Sequence, residues 1–276
     1  MPTIYNEDRK VIFVHVPKSA GSSVTIALRN ESKLKSKDDI WLKGEELPQI
    51  NEIIAQNDLL TGRKVPANHS RAMDVRKSIG ARKFDEAYSF TFVRNPYDRV
   101  ASTYHYIRRN PPHPMNAMAL KITLEQFILY HSLVAPQIQS DWIFDREGKQ
   151  LVKDIFRSED MDNLGPQIGQ HIFGNDIDFG RINTSKNNEI DKSTLFDGVC
   201  DWIIALFRTT YAADFALAGY GSDISAFRSR PVVENPDFPD GDGWQIVACQ
   251  LAKSMAKLSH RNRFLEQKTV AEPLSE

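Results

Sequence analysis

The segment that most constrains this chain is a short apolar run, Val11 to Val16, which ends at a proline and opens into a loop of small residues. Its β-branched residues predict a buried strand. After the loop, residues Ser23 to Arg29 predict a helix, with Ser22 or Ser23 as its N-cap. We therefore expect a strand, a tight loop and a helix in direct succession.

Further strands and helices alternate along the first half of the chain. Short strands are predicted at Leu59 to Gly62 and at Ser89 to Arg94. Helices are predicted from Met73 to Ile79, with Gly80 just past the end, and from Tyr97 to Arg109. Strands separated by helices predict an α/β protein whose functional loops lie at the strand ends.

The second half of the chain is more helical. Helices are predicted from Leu124 to Ser132 and, with an interruption at Gly198, from Leu195 to Leu217, and a hairpin is predicted between Trp142 and Phe156. We expect a main domain over residues 1–221. Residues 222–276 are expected to add one loop and one helix packed on the same domain, followed by a mobile tail.

The composition is that of an ordinary globular chain long enough for one or two domains. Of 276 residues, 41% are hydrophobic and 26% are charged, which excludes a disordered, collagen-like or disulfide-scaffold protein. Cys200 and Cys249 lie in apolar runs and are expected to be buried, inert thiols. No apolar run reaches the roughly 18 residues of a membrane-spanning helix, and no signal-peptide core is present, so we expect a cytoplasmic protein.

The charge is balanced overall but not locally. A net charge of −1 argues against a general nucleic-acid or membrane-surface binder. The segment from Thr61 to Arg109, however, carries 11 Lys and Arg against 4 Asp and Glu, a net charge of +7. Basic residues there either bind an anionic acceptor or form a solvated basic face; they include Arg63, Lys64, Arg71, Arg76 and Lys77.

The loop from Pro17 to Ser23 has the composition of a phosphate-binding loop. Small residues let backbone N–H groups surround an anion, and the following helix N-terminus adds partial positive charge. Lys18 contributes a full charge, and Ser22 and Ser23 contribute hydroxyl donors. The loop is not a Walker A motif, because Lys18 precedes Gly21 by three positions instead of following a second glycine. Taken alone, it is either an anion-binding loop or an ordinary turn.

A second candidate phosphate contact follows the strand that ends at Arg94. An Arg at a strand end can clamp a phosphate with two hydrogen bonds, and Ser102, eight positions later on the next helix, can reach the same anion. The alternative makes Arg94 a surface ion-pair partner and Ser102 a neutral helix residue.

Taken together, the segments VHVPKSAGSS and FTFVRNPYDRVAS resemble the two cofactor signatures of sulfotransferases, and most closely those of the carbohydrate type related to heparan sulfate 2-O-sulfotransferase. Weaker likeness continues through QSDWIFDREGK, RINTSK and TTYAADFALAGY. The resemblance implies a P-loop-like three-layer sandwich, with a central, mainly parallel sheet flanked by helices. It also implies 3′-phosphoadenosine-5′-phosphosulfate (PAPS) as co-substrate, a hydroxyl-bearing acceptor that is a saccharide or glycoconjugate, and no metal.

The resemblance also assigns residues to the donor. The first loop would hold the 5′-phosphosulfate through Lys18, Ser19, Ala20, Gly21, Ser22 and Ser23, with Lys18 stabilising the transferred group and the leaving phosphate. Arg94 and Ser102 would hold the 3′-phosphate. Asn183 to Lys186 resembles a loop that folds over the donor, which adds Ser185 and Lys186, although a polar connector explains that segment equally well.

The general base is expected among the histidines, because imidazole titrates near neutral pH. His69 lies between the two motifs, where related proteins commonly carry a histidine, and it is predicted to be the base. The alternative for His69 is a surface loop residue, and His15 is expected to have a core or supporting role. Glu159 and Asp160 are acidic alternatives that a solvated charge pair also explains.

Two other functions compete with sulfuryl transfer. A small-molecule kinase with a divergent phosphate loop would need ATP and magnesium, and the missing GK[ST] sequence weakens it. A non-catalytic module would keep the nucleotide site without turnover.

Overall fold

The computed structural model describes residues 2–36, 39–61, 65–180, 192–229 and 245–249. The strands are β1 (Ile4–Asn6), β2 (Val11–Val14), β3 (Leu42–Lys43), β4 (Tyr88–Val93) and β5 (Asp154–Arg157). The helices are α1 (Gly21–Lys35), α2 (Ile50–Thr61), α3 (Ala72–Ile79), α4 (Ala81–Glu86), α5 (Pro96–Arg108), α6 (Asn116–Ala119), α7 (Leu124–Leu133), α8 (Ser140–Ile143), α9 (Met161–Phe173), α10 (Asp201–Thr210) and α11 (Ala212–Ala216).

The strands form one sheet in the order β3-β1-β2-β4-β5. The neighbours β2, β4 and β5 run parallel, with Thr91 of β4 paired to Val14 on one side and Ile155 on the other. The β1 strand is antiparallel to both of its neighbours. The α/β class with a central sheet flanked by helices is confirmed, and the sheet is mixed, with its parallel part at the position of the two motifs. Because parallel strands point the same way, the loops that follow them share one edge.

Both faces of the central strands are buried, which explains why β2 is apolar throughout instead of alternating. Phe13 and Phe90, whose ring centroids are 5.2 Å apart, point to the face covered by α1 and α9. Ile12 and Val14 point to the opposite face and are also inaccessible to solvent. The sheet is therefore enclosed, and only its loop edges are available for function.

The chain divides into two compact units that alternate along the sequence. One comprises Met1–Arg99, Gln137–Lys192 and Tyr211–Ile224 and contains all five strands. The other comprises Val100–Pro136, Ser193–Thr210 and Ser225–Glu276, where α7 packs against α10. The expected boundary between residues 221 and 222 stays a prediction.

Three sequence-based elements differ from the structure. The strand expected at Leu59 to Gly62 is wrong, because α2 continues to Thr61 on a helical repeat of buried residues that includes Ile50, Ile53 and Ile54. The expected hairpin contains only the isolated bridge between Phe144 and Gln150, because residues 140–143 form α8. The helix expected from Leu195 to Leu217 begins only at Asp201, and Tyr211, with φ of −106° and ψ of 20°, divides it into α10 and α11.

The two cysteines have different environments. Cys200 is buried, and burial with the nearby Glu125 carboxylate raises the pKa of its thiol to about 12. Cys249 is exposed, so its expected burial is wrong: in the helical residues 245–249, Val247 is the buried side chain. Residues 230–244 and 250–276, which include most of the loop and helix expected within residues 222–276, lie outside the described residues.

Candidate functional site

The loop from His15 to Ala20, here called the anion loop, connects β2 to α1 at the shared edge of the parallel strands. Lys18 and Ala20 adopt left-handed backbone conformations, with φ of 67° and 62°. Such conformations are costly for residues with a side chain and are typical of functional loops. Ala20 is itself the N-cap of α1, so the expected serine N-cap is wrong. The first N–H groups of a helix have no acceptor within it, so those of Gly21 and Ser22 can meet an anion.

The glycine of the loop is required by a close approach of His15. A Cβ atom at Gly21 would lie 1.9 Å from Cδ2 of the His15 ring, which is itself buried. The His15 backbone N–H donates to the Thr3 hydroxyl at 3.0 Å. His15 is thus held beneath the start of α1, in the supporting role expected for it.

Three cationic side chains meet at this edge. Burial and the positive charges of Arg94 and Arg99 lower the pKa of Lys18 to about 8. The Arg94 guanidinium approaches the Lys18 carbonyl, with 3.4 Å between Nη1 and the oxygen, and Arg99 donates from Nε to the Pro17 carbonyl at 2.9 Å. Like charges placed together in a partly buried position favour an anionic ligand.

Carboxylates and carbonyls hold the two arginines in place. Nε and Nη2 of Arg94 each lie 2.9 Å from Oδ2 of Asp98, and the Arg94 side chain keeps 25% of its surface exposed. Arg99 is buried and donates from Nη1 to the Gln137 carbonyl at 2.6 Å. Asp98 is buried as well, so its ion pair with Arg94 is shielded from solvent on the carboxylate side.

The buried Gln139 side chain connects the anion loop to the end of β4, a role that the sequence did not predict. Its Oε1 accepts from the Ser19 hydroxyl at 3.1 Å and from the Arg94 N–H at 2.9 Å, while Nε2 donates to the Arg94 carbonyl at 2.8 Å. The Gln139 and Ser140 N–H groups donate to the two oxygens of Asp214 at 2.7 and 3.0 Å. Gln139 and Asp214 lie in the segments QSDWIFDREGK and TTYAADFALAGY, and their weak family resemblance was the only sequence signal for a role in the site.

Burial outweighs the attraction between Asp214 and Arg99. It raises the pKa of Asp214 to about 6 and lowers the pKa of Arg99, although each charge opposes the other's shift. The carboxylate therefore depends on its two N–H donors as well as on the arginine.

The acidic alternative Glu159 is occupied in holding the second motif. It accepts from the Asn95 N–H at 3.0 Å and from the Tyr220 hydroxyl at 2.6 Å. The same hydroxyl lies 3.1 Å from the Val93 carbonyl at the end of β4. Asp160 lies on the surface near Arg157. These contacts favour a structural role for Glu159.

His69 lies on a 3₁₀ turn, Ala67–His69, instead of on an open surface loop. Its ring centroid is 4.6 Å from that of His15, and its carbonyl accepts from the Trp142 indole at 2.8 Å. Burial lowers the pKa of His69 to about 4, with a hydrogen bond to the His15 backbone opposing the shift. Nδ1 of His69 is enclosed and has no hydrogen-bond partner in the described part of the chain.

The anion loop, the strand-end arginine and the neutral histidine occur in a segment that a family model recognises. The model of the sulfotransferase family matches residues 1–154, more than half of the chain. The chain belongs to the sulfotransferase family. No curated protein and no solved structure matches it.

The protein is thus an enzyme of sulfuryl transfer, and its family membership favours this reaction over that of a kinase. No described helix is long and apolar enough to cross a membrane. Among the described residues, no group of three or more His, Cys, Asp or Glu side chains is placed to hold a metal ion.

Some predicted site residues of this sulfotransferase are brought together and others are not. Lys18, Ser19 and Arg94 converge, with the Ser19 side chain directed to Gln139. Ser22 is half-buried and Ser23 is buried. Ser102 lies half-buried on α5, in the unit that begins at Val100, and its donor contact stays a prediction. Ser185 and Lys186 lie outside the described residues.

Part of the basic segment has a structural role. Arg71 is only 2% exposed and forms ion pairs with Asp58 and Asp74, which also accepts from the Asn57 amide. Arg76 is exposed and pairs with Asp85 through two hydrogen bonds of 3.0 and 2.9 Å. Arg71 is therefore neither an acceptor ligand nor part of a solvated face, and Arg63 and Lys64 lie outside the described residues.

Replacing Arg71 is expected to be far more damaging than replacing Arg76. Arg71→Met leaves the buried Asp74 and the partly buried Asp58 without their cation and should lower the free energy of unfolding by about 3–5 kcal/mol. Arg76→Met removes an exposed pair and should cost less than about 1 kcal/mol. Denaturant unfolding of both variants measures the difference, and equal losses would contradict the buried ion cluster.

Proposed function

We propose that this sulfotransferase takes its sulfuryl group from PAPS and that the anion loop binds the 5′-phosphosulfate. The observation that carries the proposal is the convergence of Lys18, Arg94 and Arg99 on a left-handed loop at a helix N-terminus. PAPS carries a 5′-phosphosulfate and a separate 3′-phosphate, and Lys18 and the strand-end Arg94 offer charge to each of these groups. The Asp98 carboxylate fixes the direction of the Arg94 guanidinium before the donor arrives.

His69 is proposed as the general base. With its pKa near 4 the ring is neutral at pH 7, so one ring nitrogen is free of a proton. The acceptor hydroxyl gives its proton to that nitrogen while its oxygen attacks sulfur. The bond between sulfur and the bridging oxygen of the donor breaks, and the electron pair leaves with the 5′-phosphate. An anionic donor beside His69 favours the imidazolium that forms.

Lys18 is proposed to stabilise the charge that moves onto the leaving phosphate. Electrostatic stabilisation by a group already in position is usually the largest contribution to such a step. The strained loop conformation at Lys18 supports this role, because a costly φ is retained where it places a functional group.

The proposed acceptor is a hydroxyl of a saccharide or glycoconjugate. Support for this class comes from the likeness of the two motifs to the heparan sulfate 2-O type. Transfer of labelled sulfate from PAPS to a panel of glycans, glycolipids and phenols tests it. Transfer to phenols alone would refute the saccharide assignment.

Calorimetry with 3′-phosphoadenosine-5′-phosphate against ATP tests the donor assignment. The bisphosphate is expected to bind more tightly than ATP with magnesium, because only it carries a 3′-phosphate for Arg94. Tight binding of ATP without binding of the bisphosphate would overturn the PAPS proposal.

Arg94→Ala is expected to weaken binding of the bisphosphate roughly 10- to 100-fold, because a charge-assisted phosphate contact is lost. The KM for PAPS should rise with a smaller change in kcat. Arg76→Ala is the matched control, since it removes an equal charge from the exposed pair with Asp85 and should leave affinity unchanged. Equal affinity of both variants would contradict the role of Arg94.

His69→Ala is expected to lower kcat roughly 10²- to 10⁴-fold while the affinity for the bisphosphate is nearly kept. His171→Ala, at an exposed position on α9, is the control and should turn over normally. An unchanged rate in His69→Ala would show that another group takes the proton.

The pH dependence of kcat/KM for PAPS is expected to have two limbs. The base must be unprotonated, so the rate should fall as pH drops toward about 4, the pKa of His69. Lys18 must be protonated, so the rate should fall as pH rises through about 8. In Lys18→Arg the alkaline limb should disappear, because a guanidinium stays charged. An alkaline limb that persists near pH 8 in this variant would assign it to another group.

A further inference from the structure

The contacts of Gln139 join two loops that the sequence keeps far apart. Ser19 belongs to the anion loop and Arg94 follows β4, and the Gln139 side chain hydrogen-bonds to both. The Gln139 amide is fully buried, so water does not compete for these bonds. Its oxygen accepts two hydrogen bonds, and one of its hydrogens serves the Arg94 carbonyl.

We propose that Gln139 is a positioning residue for sulfuryl transfer. It fixes the distance between Lys18 and Arg94 by binding the side chain of Ser19, next to Lys18, and the backbone of Arg94. The inference rests on the proposed function, in which these two cations bind opposite ends of the donor. Gln139 touches neither phosphate site directly and acts through Ser19 and the Arg94 backbone.

The backbone around Gln139 is itself held on both sides. Asp214 accepts from the N–H groups of Gln139 and Ser140, and the Gln137 carbonyl accepts from Arg99. Arg99 also binds the Pro17 carbonyl at the start of the anion loop. The Gln139 backbone is therefore held in place, so its side-chain amide can fix the position of the anion loop relative to the end of β4.

The anion loop needs such a restraint. Lys18 and Ala20 hold left-handed conformations that a freed loop would leave, because other backbone regions are lower in energy for residues with a Cβ. Without the amide, the Lys18 ammonium is no longer held at the position that meets the donor. Loss of the Gln139 amide should therefore weaken donor binding, in addition to any loss of stability.

Gln139→Met tests this, because methionine fills a similar volume without an amide. We expect affinity for 3′-phosphoadenosine-5′-phosphate to fall about 10-fold, equal to about 1.4 kcal/mol, with a rise in the KM for PAPS. Gln137→Met is the matched control: it is two positions away and exposed, and its recorded bonds are all made by its backbone. Its affinity should stay within about twofold of the wild type. Equal affinities for the two variants would overturn the proposal.

A double-mutant cycle separates positioning from a merely structural role. Ser19→Ala should weaken binding in the wild type, but it should cost little in Gln139→Met, because the hydroxyl acts through the missing amide. Additive losses in the double variant would overturn the link through Ser19. If Gln139→Met does not fold, Gln139→Asn carries the same test with a shortened amide.

Amide hydrogen exchange tests the positioning role of Gln139 without relying on binding of the proposed donor. In Gln139→Met the Arg94 N–H should exchange at least about 10-fold faster than in Gln137→Met, because its acceptor is gone. If the wild type does not bind the bisphosphate, the PAPS proposal fails, and this measurement still decides whether Gln139 orders the strand end. Unchanged protection at Arg94 would refute the positioning role.

Discussion

The site depends on keeping three cations, Lys18, Arg94 and Arg99, close together at the end of two parallel strands. Their mutual repulsion is offset by carbonyl oxygens of the anion loop and by the carboxylates of Asp98 and Asp214. The arrangement stabilises the arginines individually and leaves their combined field for an anion.

The basic segment from Thr61 to Arg109 and the anion site consist of largely different residues. Several cations between Thr61 and Arg109 are already paired with carboxylates: Arg71 with Asp58 and Asp74, Arg76 with Asp85, and Lys83 with Glu7. The site draws only Arg94 and Arg99 from that segment and takes Lys18 from outside it. A local charge count indicates where cations are common, but pairing decides which of them meet a ligand.

The sequence predicted the parts of the fold that arise from local patterns. The β2 strand, β4 and α5 were expected within two residues of their bounds, because apolar runs and helix signals lie in the segments themselves, whereas α1 was expected to end at Arg29 and continues to Lys35. The antiparallel β1 strand, the left-handed cap at Ala20 and the contacts of Gln139 were missed. The contacts of Gln139 depend on a partner far along the chain, Asp214, which lies 75 positions later. The neutral state of His69 likewise comes from burial, which no local pattern encodes.

The family match ends at residue 154, in the first residue of β5, yet the site is held by groups that come later. Glu159 and Tyr220 fix the end of β4, and Asp214 anchors the backbone of Gln139. The segment that the family model matches is therefore shorter than the part of the chain that must fold together to form the site. The anion loop and Gln139 lie in the matched segment, but the partners that hold the Gln139 backbone and the end of β4 lie beyond it, so the matched segment alone does not contain all the contacts that shape the site.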